Sequence, residues 1–188
     1  MGFKVRGYTR DVPQSPSKVL EKVKTYITEN QLSADDGDSL WCVIDVDRWP
    51  QEQIEELHAF CAQKDNWHLV ISNPSIEIWL LYHKRADLAD LGIQTAKDAK
   101  QALDRIEKGG YYYIKYLPLM LDAIENAQQA DSNPNGYMPE LLQTKVYHLG
   151  RALYERMGRA RFEKFIASLP SIEKEILKQK KYSMNKEQ

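Results

Sequence analysis

Two short apolar runs, each closed by a turn and followed by a helical pattern, constrain the fold of this chain more than any other feature. Residues 40–44 (LWCVI) and 69–71 (LVI) are continuous rather than alternating and rich in β-preferring residues. Such runs suit strands buried on both faces, as in a parallel sheet. After the first run, Pro50 fits the first turn of a helix over 51–64, whose Ile54, Leu57, Phe60 and Cys61 form one apolar stripe. After the second run come Ser72-Asn73-Pro74 and then residues 76–82, where every residue but Glu77 is apolar or aromatic. Strand, turn and helix, twice over, predict an α/β fold: a mainly parallel sheet flanked by helices, with ligands gathering beyond the C-terminal ends of the strands.

The first of those ends is acidic, and the helix after the second carries a single carboxylate, Glu77. Asp45-Val46-Asp47 sets two carboxylates about 6–7 Å apart along an extended backbone, on one side if strand geometry continues. Paired hard oxygens suit Mg²⁺ or Mn²⁺. An Asp-x-Asp turn is also common simply because Asp accepts backbone hydrogen bonds, so its place after a buried strand is what makes it a candidate. Arg48-Trp49 follow it, which departs from the DxDx[TV] phosphatase pattern, and the chain has neither a serine nucleophile elbow nor a glycine-rich phosphate loop. At Glu77, Asn73 is expected to cap a helix with Pro74 as its first residue, and the helix to be buried all round. A carboxylate there must reach water, pair with a cation, accept N–H hydrogen bonds or be protonated. Its first-turn position explains an ionised Glu77 through the helix dipole as well as through any function. His83, six positions on, points to another helix face and does not form a ligand pair with it.

At 43% apolar and 28% charged residues, a chain of 188 residues is expected to form one domain over 1–188, with an α/β core at 1–95 and a helical part at 96–188. No run approaches the roughly 18 apolar residues of a membrane span, and Met1-Gly2-Phe3-Lys4 lacks a signal-peptide core, so a soluble, unexported protein is expected. Cys42 and Cys61 have no metal-ligand or CxxC spacing and read as small buried hydrophobes. Residues 145–181 hold ten Lys/Arg against four Asp/Glu, read as solvated helix faces before phosphate contacts.

Along the rest of the chain, 4–9 (KVRGYT) is expected to be a short strand ended by the prolines of 11–16. Ser15 or Ser17 can cap a following helix carrying Val19, Leu20, Val23, Tyr26 and Ile27, and a polar loop runs from 29 to 39. Residues 95–107, 117–130 and 162–181 read as helices, and Val146, Leu149, Leu153 and Met157 form the stripe of another. Lys115 and Lys145 are read as solvated charges, with phosphate contact the alternative. Tyr111, Tyr112 and Tyr113 are read as packing, with base stacking the alternative.

The run VIDVDRWP at 43–50, followed by VISNPSIEIWLLYH at 70–83, resembles the RloB family, whose pattern couples a DxD-type acidic turn to an SNPxxExWLLxH block. GYYYIK at 110–115, the helix at 117–130, Asn133-Pro134 and TKVYHL at 144–149 resemble further elements of that family, so most of 40–155 is covered. The resemblance implies a Toprim-like fold in a prokaryotic cytoplasmic protein of restriction and phage-defence systems. It further implies Mg²⁺- or Mn²⁺-dependent cleavage or transfer of nucleic-acid phosphodiesters. Carried over by position, Asp45, Asp47 and Glu77 are the metal-holding and catalytic carboxylates, with Arg48, Lys115 and Lys145 as weaker nucleic-acid contacts. An ATPase or another defence protein is the implied partner. Two departures stand out: nothing before Asp45 matches the family's first strand ending in Glu, and 135–143 is longer than the family pattern. The first implies a chain that starts after the first βα unit and lacks one catalytic carboxylate. The alternative is therefore a non-catalytic Toprim-like module that binds nucleic acid or protein in a defence system.

Overall fold

The computed structural model describes residues 15–46, 49–108 and 111–184, with side chains described to residue 173. The strand expected at 4–9 lies outside these residues, as do Asp47 and Arg48. The elements are α1 (Pro16–Asn30), β1 (Leu40–Asp45), α2 (Gln51–Cys61), β2 (Trp67–Ser72), α3 (Glu77–Tyr82), α4 (Ala96–Ile106), α5 (Tyr113–Tyr116), α6 (Met120–Ala130), α7 (Val146–Met157) and α8 (Arg159–Met184). β1 and β2 pair in parallel and are flanked by helices, the expected α/β arrangement. The chain divides into two compact units, residues 1–42 with 48–69 and residues 43–47 with 70–188, so the first half of each strand belongs to one unit and the last half to the other. None of the described helices is long and apolar enough to cross a membrane.

In the first unit, Ser15 is the cap of α1: its hydroxyl accepts the Lys18 N–H at 3.4 Å, and Pro16 takes a first-turn position that needs no N–H. α1 packs on α2, which buries Ile54, Leu57 and Cys61 on one face. Phe60 is only half-buried, its ring centroid 5.2 Å from that of Trp67. The polar loop before β1 is pinned by one side chain, since the Asn66 amide donates to the Ala34 and Asp38 carbonyls at 2.9 and 2.6 Å. Cys42 and Cys61 are free, buried thiols, and their mutual hydrogen bond, with burial, pushes the Cys42 thiol up. β1 departs from the expectation of burial on both faces. Cys42 and Ile44 are buried while Val43 is 44% exposed, as strand side chains alternate between the two faces.

The second unit is built around α3, which packs on α4 and α6. Ile78, Leu81 and Tyr82 are buried, but Trp79 and Leu80 are only half-buried, so the helix is covered on one side rather than all round. α4 begins with a reciprocal cap, the Thr95 hydroxyl accepting the Asp98 N–H and the Asp98 carboxylate accepting the Thr95 N–H at 2.9 Å. α6 starts at Met120 because Pro118 holds the preceding turn in a tighter helix. α7 buries Val146, Tyr147 and Gly150, while Met157 is 37% exposed. The expected stripe is thus rotated, and Gly150 gives the reason: a Cβ there would stand 3.1 Å from Ile124 of α6, so the two helices meet at the residue without a side chain.

Candidate functional site

β1 ends at Asp45, and the next residue is tied to the end of β2, the Val46 N–H donating to the Ser72 carbonyl at 3.2 Å. Five residues beyond Ser72 lies Glu77, the first residue of α3. One backbone pairing therefore brings Asp45 and Glu77 to the same end of the strand pair, where both are half-buried. Asp47 and Arg48 continue from this point but lie outside the described residues. Among the described residues no group of three or more His, Cys, Asp and Glu side chains is placed to hold a metal ion. The chemistry of the two described acidic residues fits a hard divalent cation, being carboxylate oxygen only. Two residues before Glu77, Ser75 keeps a buried hydroxyl with no hydrogen-bond partner among the described residues.

The turn between β2 and α3 is built differently from the expected cap. The Asn73-Pro74 bond is cis, Pro74 precedes α3 by three residues, and Asn73 does not cap it. Asn73 is held instead by the segment before α7. Its N–H donates to the Gln143 carbonyl, its carbonyl accepts the Leu142 N–H, both at 2.9 Å, and its side-chain amide donates to the Pro139 carbonyl at 3.0 Å. On either side, the Lys145 N–H donates to the Ile71 carbonyl at 2.7 Å, and the Ser72 and Thr144 hydroxyls lie 2.7 Å apart. Ser72 and Thr144 make an isolated antiparallel bridge, so the 142–145 segment is tied by its backbone to the end of β2. Asn73 is thus tied to residues 139–143, and α3 begins later, with Ile76 rather than Asn73 at the N-cap position.

That segment carries Lys145, which is not the solvated charge expected from the sequence. It is 2% exposed, and its three N–H bonds meet three acceptors: the two Asp131 carboxylate oxygens at 2.8 and 2.6 Å and the Asn133 carbonyl at 2.6 Å. It is neither a solvated charge nor a phosphate contact, since no donor remains for a ligand. The Tyr147 hydroxyl donates to the same Asp131 carboxylate at 2.8 Å. Burial works to raise the Asp131 carboxyl, but hydrogen bonds from Lys145, Tyr147 and the Asn133 N–H outweigh it and hold the group below its usual value. Asp131 and Tyr147 were missed from sequence, although a lysine inside Thr144-Lys145-Val146-Tyr147, at the start of an apolar helix face, signals a buried partner.

The remaining candidates lie at the far end of α3. Lys115 is half-exposed and bonded to Glu107 at 2.7 Å, where Lys84 also reaches the carboxylate at 3.1 Å. His83 is buried, its Nδ1 donating to the Trp79 carbonyl at 2.9 Å and its ring packed edge-on against Trp79 and Tyr116. Burial lowers its pKa, as suits a neutral core histidine.

Against known proteins, the family model described as RloB-like protein matches residues 4–153. No curated protein and no solved structure matches the chain.

Proposed function

We propose that this chain, which belongs to the RloB-like protein family, is a divalent-metal-dependent nucleic-acid phosphodiesterase with its site at the C-terminal end of β1. The observation that carries the reading is the Val46 to Ser72 hydrogen bond, which draws Asp45 to the end of the strand pair from which Glu77 begins its helix. In this reading Asp45, Asp47 and Glu77 hold Mg²⁺ or Mn²⁺, and Arg48, the next residue in sequence after Asp47, meets phosphate. Bound there, the cation supplies charge to a phosphate oxygen and lowers the pKa of an attacking water. Asp45 and Glu77 keep the water access that a hydrated cation needs, and backbone hydrogen bonds from the 142–145 segment hold the turn from which Glu77 departs. The reading carries with it a cytoplasmic protein of a restriction or phage-defence system, with an ATPase or another defence protein as partner.

The test is cleavage of supercoiled plasmid, single-stranded DNA and RNA by the full chain with Mg²⁺, Mn²⁺ or EDTA. The expected result is metal-dependent nicking or cleavage that Asp45→Asn and Glu77→Gln each abolish while the circular dichroism spectrum is unchanged. No cleavage of any substrate, or cleavage that survives both substitutions, overturns the reading. Oligonucleotide binding that persists without cleavage in the parent leaves a non-catalytic binding module.

A further inference from the structure

We propose that Tyr111, Tyr113, Lys84 and Lys115, at the end of α3 away from Glu77, form a contact surface for single-stranded nucleic acid, with Glu107 as the internal competitor for its phosphate. The proposal rests on the nucleic-acid reading above and adds a strand preference and a second contact zone to it.

The tyrosine run is split by the fold. Tyr111 and Tyr113 are 53% and 38% exposed and Lys115 is exposed, while Ile114 and Tyr116 are buried beneath them. The two exposed rings are supported without being covered: Tyr111 lies 4.8 Å from Tyr116, and Tyr113 meets Tyr112 edge-on at 5.5 Å. Tyr116 is itself braced by the His83 ring at 5.4 Å, so the platform is anchored in the core. Supported aromatic faces beside cations are the composition that single strands use, because bases stack on the rings while phosphates meet the cations. A duplex offers such rings no free base face.

The cations are arranged for an oxyanion. Lys84 reaches one Glu107 oxygen at 3.1 Å and Lys115 the other at 2.7 Å, and the Lys84 ammonium stands 4.5 Å from the centre of the Tyr116 ring. Two ammonium groups on two oxygens of one anion would hold a phosphate equally well, and Glu107 occupies that position. Glu173 of α8 also acts on Lys115, raising its pKa together with Glu107. Lys84 follows Glu77 by seven residues, about 10 Å at helical rise, which is the length of about three stacked nucleotides.

The test is fluorescence anisotropy of a short labelled oligonucleotide, single-stranded or duplex, with the full chain in EDTA, so that neither metal nor cleavage enters. Tyr111→Ala and Tyr113→Ala are expected to weaken single-strand binding about tenfold each, with little change for the duplex. Lys115→Met is expected to lower the slope of log affinity against log salt by about 0.7. Glu107→Gln is expected to tighten binding and steepen that slope. All four keep the parent circular dichroism spectrum. Tyrosine variants that bind like the parent, or a Glu107→Gln variant that binds no tighter, overturn the proposal. If Asp45→Asn and the parent then bind alike, the acidic-site reading still stands. A parent that binds no single strand removes this surface and the nucleic-acid reading together.

Discussion

Two sets of charged residues attach to the same turn at 72–74, and they obey opposite rules. Lys145, Asp131 and Tyr147 are buried, and the lysine's donors are all matched by acceptors inside the protein. Asp45 and Glu77 are half-buried, at a strand end and in a helix's first turn. A buried charge survives only when its partners are complete, which leaves it nothing to offer a ligand. A half-buried carboxylate keeps contact with water and therefore with hydrated cations. The first set is a clasp and the second a candidate site, although Lys145 stood with Asp45 and Glu77 among the functional candidates in the sequence.

The sharpest way to break this division is to mutate both sets and compare activity with stability. Asp45→Asn or Glu77→Gln is expected to lower cleavage at least about a hundredfold, several kcal/mol of transition-state stabilisation, with an unchanged melting temperature. A melting temperature that falls with activity would make these carboxylates part of the clasp. Next in size, Lys145→Met should destabilise the protein by about 3–5 kcal/mol in urea denaturation, because it strands the Asp131 carboxylate in the interior. The double variant Lys145→Met/Asp131→Leu should recover most of that loss. A single variant as stable as the parent would show that the pair does not hold the turn.

Acid sharpens the comparison further. The folded Asp131 carboxyl is held below its unfolded value of about 3.9, so the stability it contributes is present above that value and is lost as pH falls through the folded pKa. The parent's urea midpoint should therefore drop on acidification below about pH 4, and more steeply than that of the double variant. Equal slopes would remove Asp131 from the acid response. The smallest effect is expected at Lys115, the other lysine that the sequence offered as a phosphate contact. Its pair with Glu107 is solvent-screened, and Lys115→Met should leave thermal unfolding essentially where it was.

These contrasts also mark what the sequence could say. The two strands, the Ile54, Leu57 and Cys61 face of α2, the Ser15 cap and the buried cysteines follow from patterns within a few residues, and local chemistry was enough to find them. Asn73 was misread by the same logic: its residue type and the following proline satisfy a capping rule, but its partners come from 139–143, some 70 residues on. Lys145 failed likewise, since a lysine at a helix start reads as solvated until Asp131 is brought beside it by the intervening loop. The rotated face of α7 depended on Gly150 meeting Ile124, a contact between helices that no single-helix stripe encodes. Asp45 was legible as the end of an apolar run, whereas the helix that carries Glu77 begins three residues later than the Asn73-Pro74 pattern suggests.

The most direct measurement of the central claim is Mn²⁺ titration of the metal-free full chain, followed by the electron paramagnetic resonance signal of free Mn²⁺. The account predicts saturable binding by the parent, weakened at least about tenfold in the Asp45→Asn/Glu77→Gln double variant and unchanged in Lys115→Met. A parent that leaves all the Mn²⁺ free, or a double variant that binds it as tightly as the parent, would contradict the assignment of this end of the strand pair as a metal site.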